Sequence, residues 1–399
     1  MRNLDQTQTI DDLRTMARRR LPEFLFVPMD QGDGCGTGPK RNVAAFDQYL
    51  FNARTMIATD SDGLRTPLFG RTYSLPFGIS ALGYAGKLRR YADESLAEAA
   101  AEANIPFILS GASCATIETI ARLAPNHVWQ QIYAARKSEI TERFVTRAAD
   151  AGVRVLVMTV DSPVHQRNHW LARTGIALPA TIRRSAWPYV LWQAVTHPSW
   201  SLEVVRNGGL PGLESWREFA LQPPTAAASV RAFHDNMPGR QDWCEVDRVR
   251  QWWPGQLVIK GLVDPSDAKR ALALGADAVT VSNHGGNKLE RMAAALDYLP
   301  GIAGALPSDA SVFFDGGIRS GMDVMVTRAL GATFSFLGRA ALYGVVAGGT
   351  EGALRAIAII REDLERTLAL IGAGSVARVD STFIRHSSGS APKSPTRDS

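Results

Sequence analysis

Val279-Thr280-Val281-Ser282-Asn283-His284-Gly285-Gly286 is an apolar, β-branched run that stops abruptly at a histidine among polar and glycine residues. A short run of this kind bounded by turn residues is a buried strand, so the histidine stands where the strand opens into a loop. An imidazole there can take a proton near neutral pH and serve as a general base. An isolated histidine at a strand end is more often a hydrogen-bonded structural group, so its neighbours decide. At the carboxyl ends of other apolar runs stand Ser110, Gln131 and Tyr133, Thr159 and Asp161, Lys260, Asp315 with Gly316-Gly317, and Gly338-Arg339. Chance would scatter such groups over both ends of the strands, whereas a ligand site collects them at one.

The elements that must position these groups follow a regular pattern. Pro76 to Ala81, Ile105 to Ser110, Val128 to Ile132, Val155 to Asp161, Leu257 to Lys260, Ala278 to Ser282, Val312 to Asp315 and Phe334 to Leu337 are eight short apolar runs. Between most of them lie alanine-rich helical patterns such as Glu94 to Ala103, Ile140 to Ala149, Pro265 to Leu274 and Gly321 to Leu330. Strands alternating with helices predict right-handed βαβ units and a parallel sheet, and eight of them predict a closed (β/α)8 barrel, an open doubly wound sheet being the alternative. Ahead of the barrel, Thr9 to Arg20 is a predicted helix with Thr9 as its N-cap and Leu21-Pro22 as its stop. The glycine-rich piece from Gln31 to Gly38 is a loop whose spacing does not fit a phosphate loop. A long insertion, about 175–242, separates the fourth and fifth strands, as lids and binding loops do. It carries Trp187, Trp192, Trp200 and Trp216 with several arginines, which either pack the lid onto the barrel rim or touch a membrane surface. Residues 1–385 are expected to form one domain. The remaining 386–399, rich in serine, proline and charge, are expected to be disordered.

Composition narrows the function. With 399 residues, 45% hydrophobic and 21% charged, the chain is an ordinary globular protein large enough for one big core. The net charge of +5 is spread along the chain, so nucleic acid is not implied. Cys35, Cys114 and Cys244 are odd in number and lack metal-ligand spacing, so neither a disulfide framework nor a metal site is expected. The N-terminus has no apolar core of a signal peptide and no stretch is long enough to span a membrane, which points to a reducing cytoplasm.

Two strand ends carry a phosphate signal. Asp315-Gly316-Gly317-Ile318-Arg319 and Gly338-Arg339 place unobstructed backbone amides beside two arginines, on the strands whose loops frequently hold phosphate in barrels. Arginine adds bidentate charge. Lys260, at the end of the fifth run, needs an anionic partner if buried; facing a flavin it would stabilise negative charge on the reduced ring.

Ser282-Asn283-His284-Gly285-Gly286, Lys260-Gly261, Thr159-Val160-Asp161-Ser162-Pro163, Asp315-Gly316-Gly317-Ile318-Arg319 and Gly338-Arg339 together resemble the FMN-dependent α-hydroxy-acid oxidase/dehydrogenase family, in that family's order, over roughly residues 10–385. The resemblance implies a TIM barrel with FMN at its top. It implies flavin-ring contacts from Ala81, Leu82, Gly83, Ser110, Gln131, Thr159 and Lys260. Ribityl and phosphate contacts would come from Ser282, Asp315, Gly316, Gly317, Arg319, Gly338 and Arg339. His284 would take a proton as a hydride equivalent passes to flavin N5, Asp161 would orient the histidine, and Tyr133 would hydrogen-bond the substrate. A homo-oligomer is implied in the same way. The electron acceptor, whether oxygen, a quinone or a protein, is left open.

The departures fall at the substrate end. The two arginines and the tyrosine with which family members hold a carboxylate align with Asn287, Asn168 and Pro28. Asparagine cannot supply the charged fork of arginine, and each such contact is worth roughly 1.5–3 kcal/mol. Either Arg167, Lys288, His165 or His169 restores the charge for a larger 2-hydroxy acid, or the substrate is an amine, amide or peptide-derived molecule without a free α-carboxylate. A mycofactocin-associated branch of the family resembles this chain in carrying asparagine after His-Gly-Gly. A flavin-binding protein without catalysis is the remaining alternative, and it would have no use for His284, Asp161 and Tyr133 together.

Overall fold

The computed structural model describes residues 4–32, 34–164, 168–177, 181–222, 224–239 and 241–389. The eight apolar runs form parallel strands β1 (Phe77–Ile79), β2 (Phe107–Leu109), β3 (Val128–Ile132), β4 (Val155–Thr159), β5 (Gln256–Leu262), β6 (Ala278–Val281), β7 (Ser311–Asp315) and β8 (Phe334–Leu337). Each pairs with the next, and Leu337 of β8 lies against Ile79 of β1, so the sheet closes and the open alternative is not realised. Helices follow the strands around the outside, as in a (β/α)8 TIM barrel.

The two-residue period of a strand explains how this fold builds a site. In β5, Leu257 and Ile259 belong to the core under the helices, while Val258 belongs to the cluster inside the barrel. The same alternation puts Val155 and Val157, Phe313, Phe334 and Phe336, Trp129, Ile108 and Ala278 inside. Continued one step upward, it places Lys260 above Val258, Thr159 above Val157, Asp315 above Phe313, Gln131 above Trp129, Ser110 above Ile108 and Thr280 above Ala278. Apolar side chains fill the lower barrel, and polar ones end the rows at the top. A hairpin of Thr66–Leu68 and Arg71–Tyr73, which the sequence pattern did not reveal, packs Leu68, Phe69 and Tyr73 against this inner cluster. Tyr73 meets Phe334, the first residue of β8, with ring centroids 5.9 Å apart.

The N-terminal segment forms three helices, α1 (Ile10–Arg20), α2 (Glu23–Gln31) and α3 (Thr37–Ala44). Thr9 caps α1 as expected: its side chain accepts from the Asp12 amide, and Asp12 reciprocates at the cap. The loop read over Gln31 to Gly38 is shorter than expected, since Gln31 ends α2 and Gly38 lies within α3. The insertion between β4 and β5 includes α4 (Trp187–Thr196), α5 (Pro198–Arg206) and a further helix, Ala226–Asn236. Its tryptophans divide. Trp216 is buried, its indole donating to the Gly111 carbonyl at 2.7 Å, and Trp200 is buried against Phe24, whereas Trp187 and Trp192 are exposed. After β8 the helix Arg339–Ile371 is broken at Gly349, where φ is 66°. The chain then returns Ile384–His386 as an antiparallel partner of Tyr49–Phe51. His386 is thus in a strand, and residues 390–399 of the expected tail lie outside the described residues.

Candidate functional site

The strand ends converge on a cavity of about 470 Å³ at the top of the barrel. Its central feature is the loop after β6. His284 adopts left-handed backbone geometry, φ 56°, which costs a non-glycine residue of order 1–3 kcal/mol. Its amide donates to Ser282 Oγ at 3.1 Å, and Gly286 N donates to Asn283 Oδ1 at 2.9 Å. Beneath the loop, Asn283 and Asn42 of α3 exchange side-chain amide hydrogen bonds at 2.7 and 2.8 Å, both residues buried. Asn42 Oδ1 also accepts from Ala295 N. The glycines permit this docking: a Cβ on Gly286 would stand 2.4 Å from the Gly38 carbonyl carbon, and one on Gly317 would stand 2.3 Å from the Asn42 carbonyl oxygen.

The His284 ring bonds Asp161 Oδ1 through Nδ1 at 2.8 Å, leaving Nε2 for the cavity that His284 lines. Burial lowers the pKa of the imidazole, and the charges of Lys288 and Lys260 push the same way against the opposing pull of Asp161, so the ring is neutral at neutral pH. Burial raises Asp161, but His284, Lys260 and Lys288 outweigh it and hold the carboxyl at about 2. The pair is therefore a neutral imidazole oriented by a carboxylate, the arrangement a general base needs. Asp161 Oδ2 is buried with no hydrogen-bond partner.

Lys260, also buried, forms an ion pair with Asp315 Oδ2 at 2.5 Å and donates to Ser282 Oγ at 2.8 Å. Ser80, which sequence reasoning missed, donates to the same carboxylate at 2.9 Å. The buried lysine thus has its counter-charge, and Ser282 sits behind the cavity wall as the bridge between the two. Nearby, Gln131 Oε1 accepts from Gly111 N at 2.8 Å, and Ser110 Oγ accepts from Ala112 N at 3.1 Å. Along with these groups, Ala81, Leu82, Gly83, Thr159 and Tyr133 line the cavity. Burial and the Asp161 charge both raise the Tyr133 phenol, so it remains a neutral hydrogen-bond donor.

Gly316, Gly317, Arg319, Gly338 and Arg339 line the same cavity. A Cβ on Gly338 would meet nothing within 4 Å, so the backbone there borders open space at the N-terminus of the helix beginning at Arg339. Backbone amides, a helix N-terminus and two guanidinium groups make a cradle for a phosphate. Arg339 is steadied by the carbonyls of Met29 and Gly285 at 3.0 and 2.8 Å. A cavity lined by a cationic phosphate cradle and by a buried lysine near the base fits FMN.

The substrate end differs from sequence expectation. Arg167 and His165 lie outside the described residues. His169 is exposed on the helix His169–Arg173. Asn168 is committed to structure: its Oδ1 caps that helix at Leu171 N, 2.7 Å, and its Nδ2 donates to the Gly32 carbonyl at 2.8 Å. Pro28, Asn287 and Lys288 border the cavity. So do Phe24, Tyr84, Lys87, Phe233 and His234, none of which sequence reasoning singled out, because no local pattern links α2, the β1 loop and the insertion.

The model of the FMN-dependent dehydrogenase family matches residues 17–386. An L-lactate dehydrogenase of Pectobacterium atrosepticum is 34% identical over 370 residues, 93% of this chain and 95% of that protein. One of Yersinia pestis is 33% identical, covering 92% and 96%. Among solved structures, the monotopic membrane protein (S)-mandelate dehydrogenase superposes with TM-score 0.89 at 30% identity, covering 96% of this chain and all of that one. Mandelate oxidase with (S)-4-hydroxymandelic acid gives TM-score 0.79 at 26% identity, covering 95% and 98%. With the phosphate cradle, the buried lysine and the histidine–carboxylate pair in one barrel mouth, the chain belongs to the FMN-dependent α-hydroxy-acid oxidase/dehydrogenase family and is an FMN-dependent oxidoreductase acting on CH–OH groups.

Proposed function

We propose that the protein oxidises a 2-hydroxy acid at its α-carbon with His284 as the base. The observation that carries this is the His284–Asp161 pair, 2.8 Å apart and opening on the cavity. Bound FMN supplies the two-electron acceptor for the hydride equivalent that leaves the substrate carbon. Residues 81–83 with Gln131, Thr159 and Lys260 would hold its ring, and Arg319, Gly338 and Arg339 its phosphate. Neutral His284 Nε2 accepts the hydroxyl proton of the substrate, and Asp161 stabilises the imidazolium that results. Tyr133 donates a hydrogen bond to the substrate. Asn287 borders the substrate and Lys288 supplies positive charge beside it, with Arg167 the further candidate for gripping the carboxylate.

The test is anaerobic absorbance of the yellow holoprotein mixed with 2-hydroxy acids, amines and small cyclic peptides. Bleaching by a hydroxy acid, lost in His284→Asn while the flavin stays bound, is the expected result; persistence of bleaching in that variant would remove His284 as base. Asn168 serving as a helix cap, with asparagine again at 287, favours a second reading in which the substrate is an amine or peptide lacking an α-carboxylate. Bleaching by those compounds alone would select it.

We also infer a peripheral membrane location. No helix among the described residues is long and apolar enough to cross a membrane. Yet α4 and α5 expose Trp187, Leu191, Trp192, Val195, Leu202 and Val205, with Trp192 64% and Val205 75% exposed. A helix pair with this much apolar surface suits the headgroup boundary, and the mandelate dehydrogenase relative is itself described as monotopic. A quinone in the same bilayer would then be the acceptor. Co-sedimentation with anionic vesicles is expected for the native protein and lost in a Leu191→Ser/Trp192→Ser/Val195→Ser variant that keeps its flavin. Retained sedimentation would refute the membrane role.

A further inference from the structure

Lys87 lies on the short helix Ala85–Leu88 that follows β1 and lines the same cavity as His284. Its ammonium stands over the Tyr84 ring, 4.9 Å from the centroid. Among the described residues no carboxylate comes within ion-pair distance of it. Its other close group, the Cys114 thiol, is pushed up by burial and stays neutral. The buried Asp93 carboxyl accepts from the Cys114 amide through Oδ2 at 2.9 Å, leaves Oδ1 without a partner and is pushed up by burial to about 7. Burial also pulls the lysine below its ordinary value. A partly buried cation facing a cavity without a protein counter-charge is poorly solvated unless an anion enters that cavity.

The direction of this cation from the reacting carbon is set by aromatic side chains. Tyr133, which feels the charge of the Asp161 that bonds His284, packs on Phe233 with centroids 6.4 Å apart. Phe233 packs on Tyr84 at 6.1 Å, and Tyr84 carries Lys87 on its face. The Tyr84 hydroxyl lies 3.4 Å from His234 Nε2, adding a polar edge at the same end. Phe24 and Met237 complete an apolar stretch of wall. The cavity thus runs from base, along aromatic rings, to an ammonium group.

We propose that Lys87 anchors an anionic group at the far end of the substrate side chain. The substrate class is then a 2-hydroxy acid with a second acid group, such as a dicarboxylate or a carboxylated aryl hydroxy acid, separated from the reacting carbon by an apolar stretch. This rests on the 2-hydroxy-acid reading above. Lys87 is a specificity residue that touches neither the reacting carbon nor the proton.

The experiment compares matched pairs on the FMN holoenzyme: 2-hydroxyadipate with 2-hydroxyhexanoate, and 4-carboxymandelate with mandelate. Wild-type kcat/KM is expected to favour the dianion by about tenfold or more, the scale of one charge-assisted hydrogen bond. In Lys87→Met the ratio is expected to fall to near unity, and in Lys87→Arg to be kept. In parallel, the oxo acids 2-oxoadipate and 2-oxohexanoate, which carry no α-hydrogen to transfer, are titrated by their shift of the flavin spectrum, so that binding is read without turnover. A wild-type enzyme blind to the second charge, or a Lys87→Met variant that weakens both members of a pair equally, overturns the subsite while the hydroxy-acid function stands. No reduction by any hydroxy acid, together with Lys87-dependent binding of 2-oxoadipate, overturns the function while the anion subsite stands. Absence of both overturns both.

Discussion

Gly261 tests how closely the base is held. It follows Lys260 in β5 with φ +106°, a conformation that side chains rarely adopt. A Cβ built there lies 2.6 Å from Cγ of Asp161 and 2.8 Å from Oδ2. Ordinary carbon–carbon contact begins near 3.5 Å, so Gly261→Ala must drive the carboxylate back by about 0.9 Å. Asp161 Oδ1 is 2.8 Å from His284 Nδ1. Directed wholly along that line, the displacement would carry the bond to at most about 3.7 Å, beyond the range of a hydrogen bond. The imidazolium then forms without its carboxylate, and misplacement on this scale costs about 10²-fold in rate, or near 2.7 kcal/mol in the barrier. The strained backbone costs roughly another 1–2 kcal/mol of folding stability.

The assay is anaerobic stopped-flow reduction of the flavin as a function of pH. Asp161 raises the pKa of His284, so its retreat lets that pKa fall further. The acidic limb of kcat/KM should therefore move to lower pH while the plateau rate drops. A fall in rate with the limb unmoved would mean that the alanine damages the barrel without acting through the pair. A rate within about twofold of wild type would refute the geometric argument, because a hydrogen bond to the developing charge cannot be lost so cheaply.

In the native protein, the His284 pKa lies below 6.5, so kcat/KM should fall only as pH drops through a value under 6.5; stability should also decline below 6.5, where the unfolded chain begins to bind a proton that the folded one refuses. A limb above 6.5 in the pH–rate profile would contradict the neutral-base assignment. Lys260→Met leaves Asp315 buried without its cation, 2.5 Å of ion pair removed, and should cost about 3–5 kcal/mol in denaturant unfolding of the holoprotein. Adding Asp315→Leu should recover part of that loss, and no recovery would deny the pairing energy. Asn42→Ala strips the Asn283 amide of its reciprocal partner and should cost about 1–3 kcal/mol while slowing flavin reduction. Unchanged reduction would show that the His284 loop holds its shape without α3.

Strand periodicity made most of this legible. Alternation within runs such as Leu257-Val258-Ile259-Lys260 fixes both the barrel and which end residue points inward, so the polar groups at the strand ends could be read as one site. What stayed hidden depends on distant packing. Asn42 reaches Asn283 across 241 residues, and no local spacing marks a helix residue that will hold the His284 loop. The hairpin that plugs the inner cluster is two strands of three residues, too short to show a period. The insertion tryptophans look alike in sequence, yet Trp216 is 3% exposed and Trp192 is 64%, because only the first meets Phe144 and Phe233.

Asn168 bears on where a substrate carboxylate would be held. Its oxygen caps Leu171 N and its nitrogen holds the Gly32 carbonyl, and being neutral it offers a carboxylate no charge, so on the 2-hydroxy-acid reading the charge comes from elsewhere. Of the lysines and arginines that border the cavity, Lys260 is paired with Asp315 and Arg339 is tied to two carbonyls, with Arg319 beside it at the phosphate end. Lys288 and Lys87 also border the cavity and are the two cations proposed to meet the substrate. Lys288 acts on the base itself: its charge lowers both His284 and Asp161. Lys288→Met should therefore raise KM for every 2-hydroxy acid, by about tenfold or more for a lost charged contact. It should also move the acidic limb of kcat/KM to higher pH, since one of the cations opposing protonation of His284 is gone. A change in KM alone would leave Lys288 as a carboxylate contact remote from the base. A shifted limb with KM untouched would instead assign the α-carboxylate to Arg167.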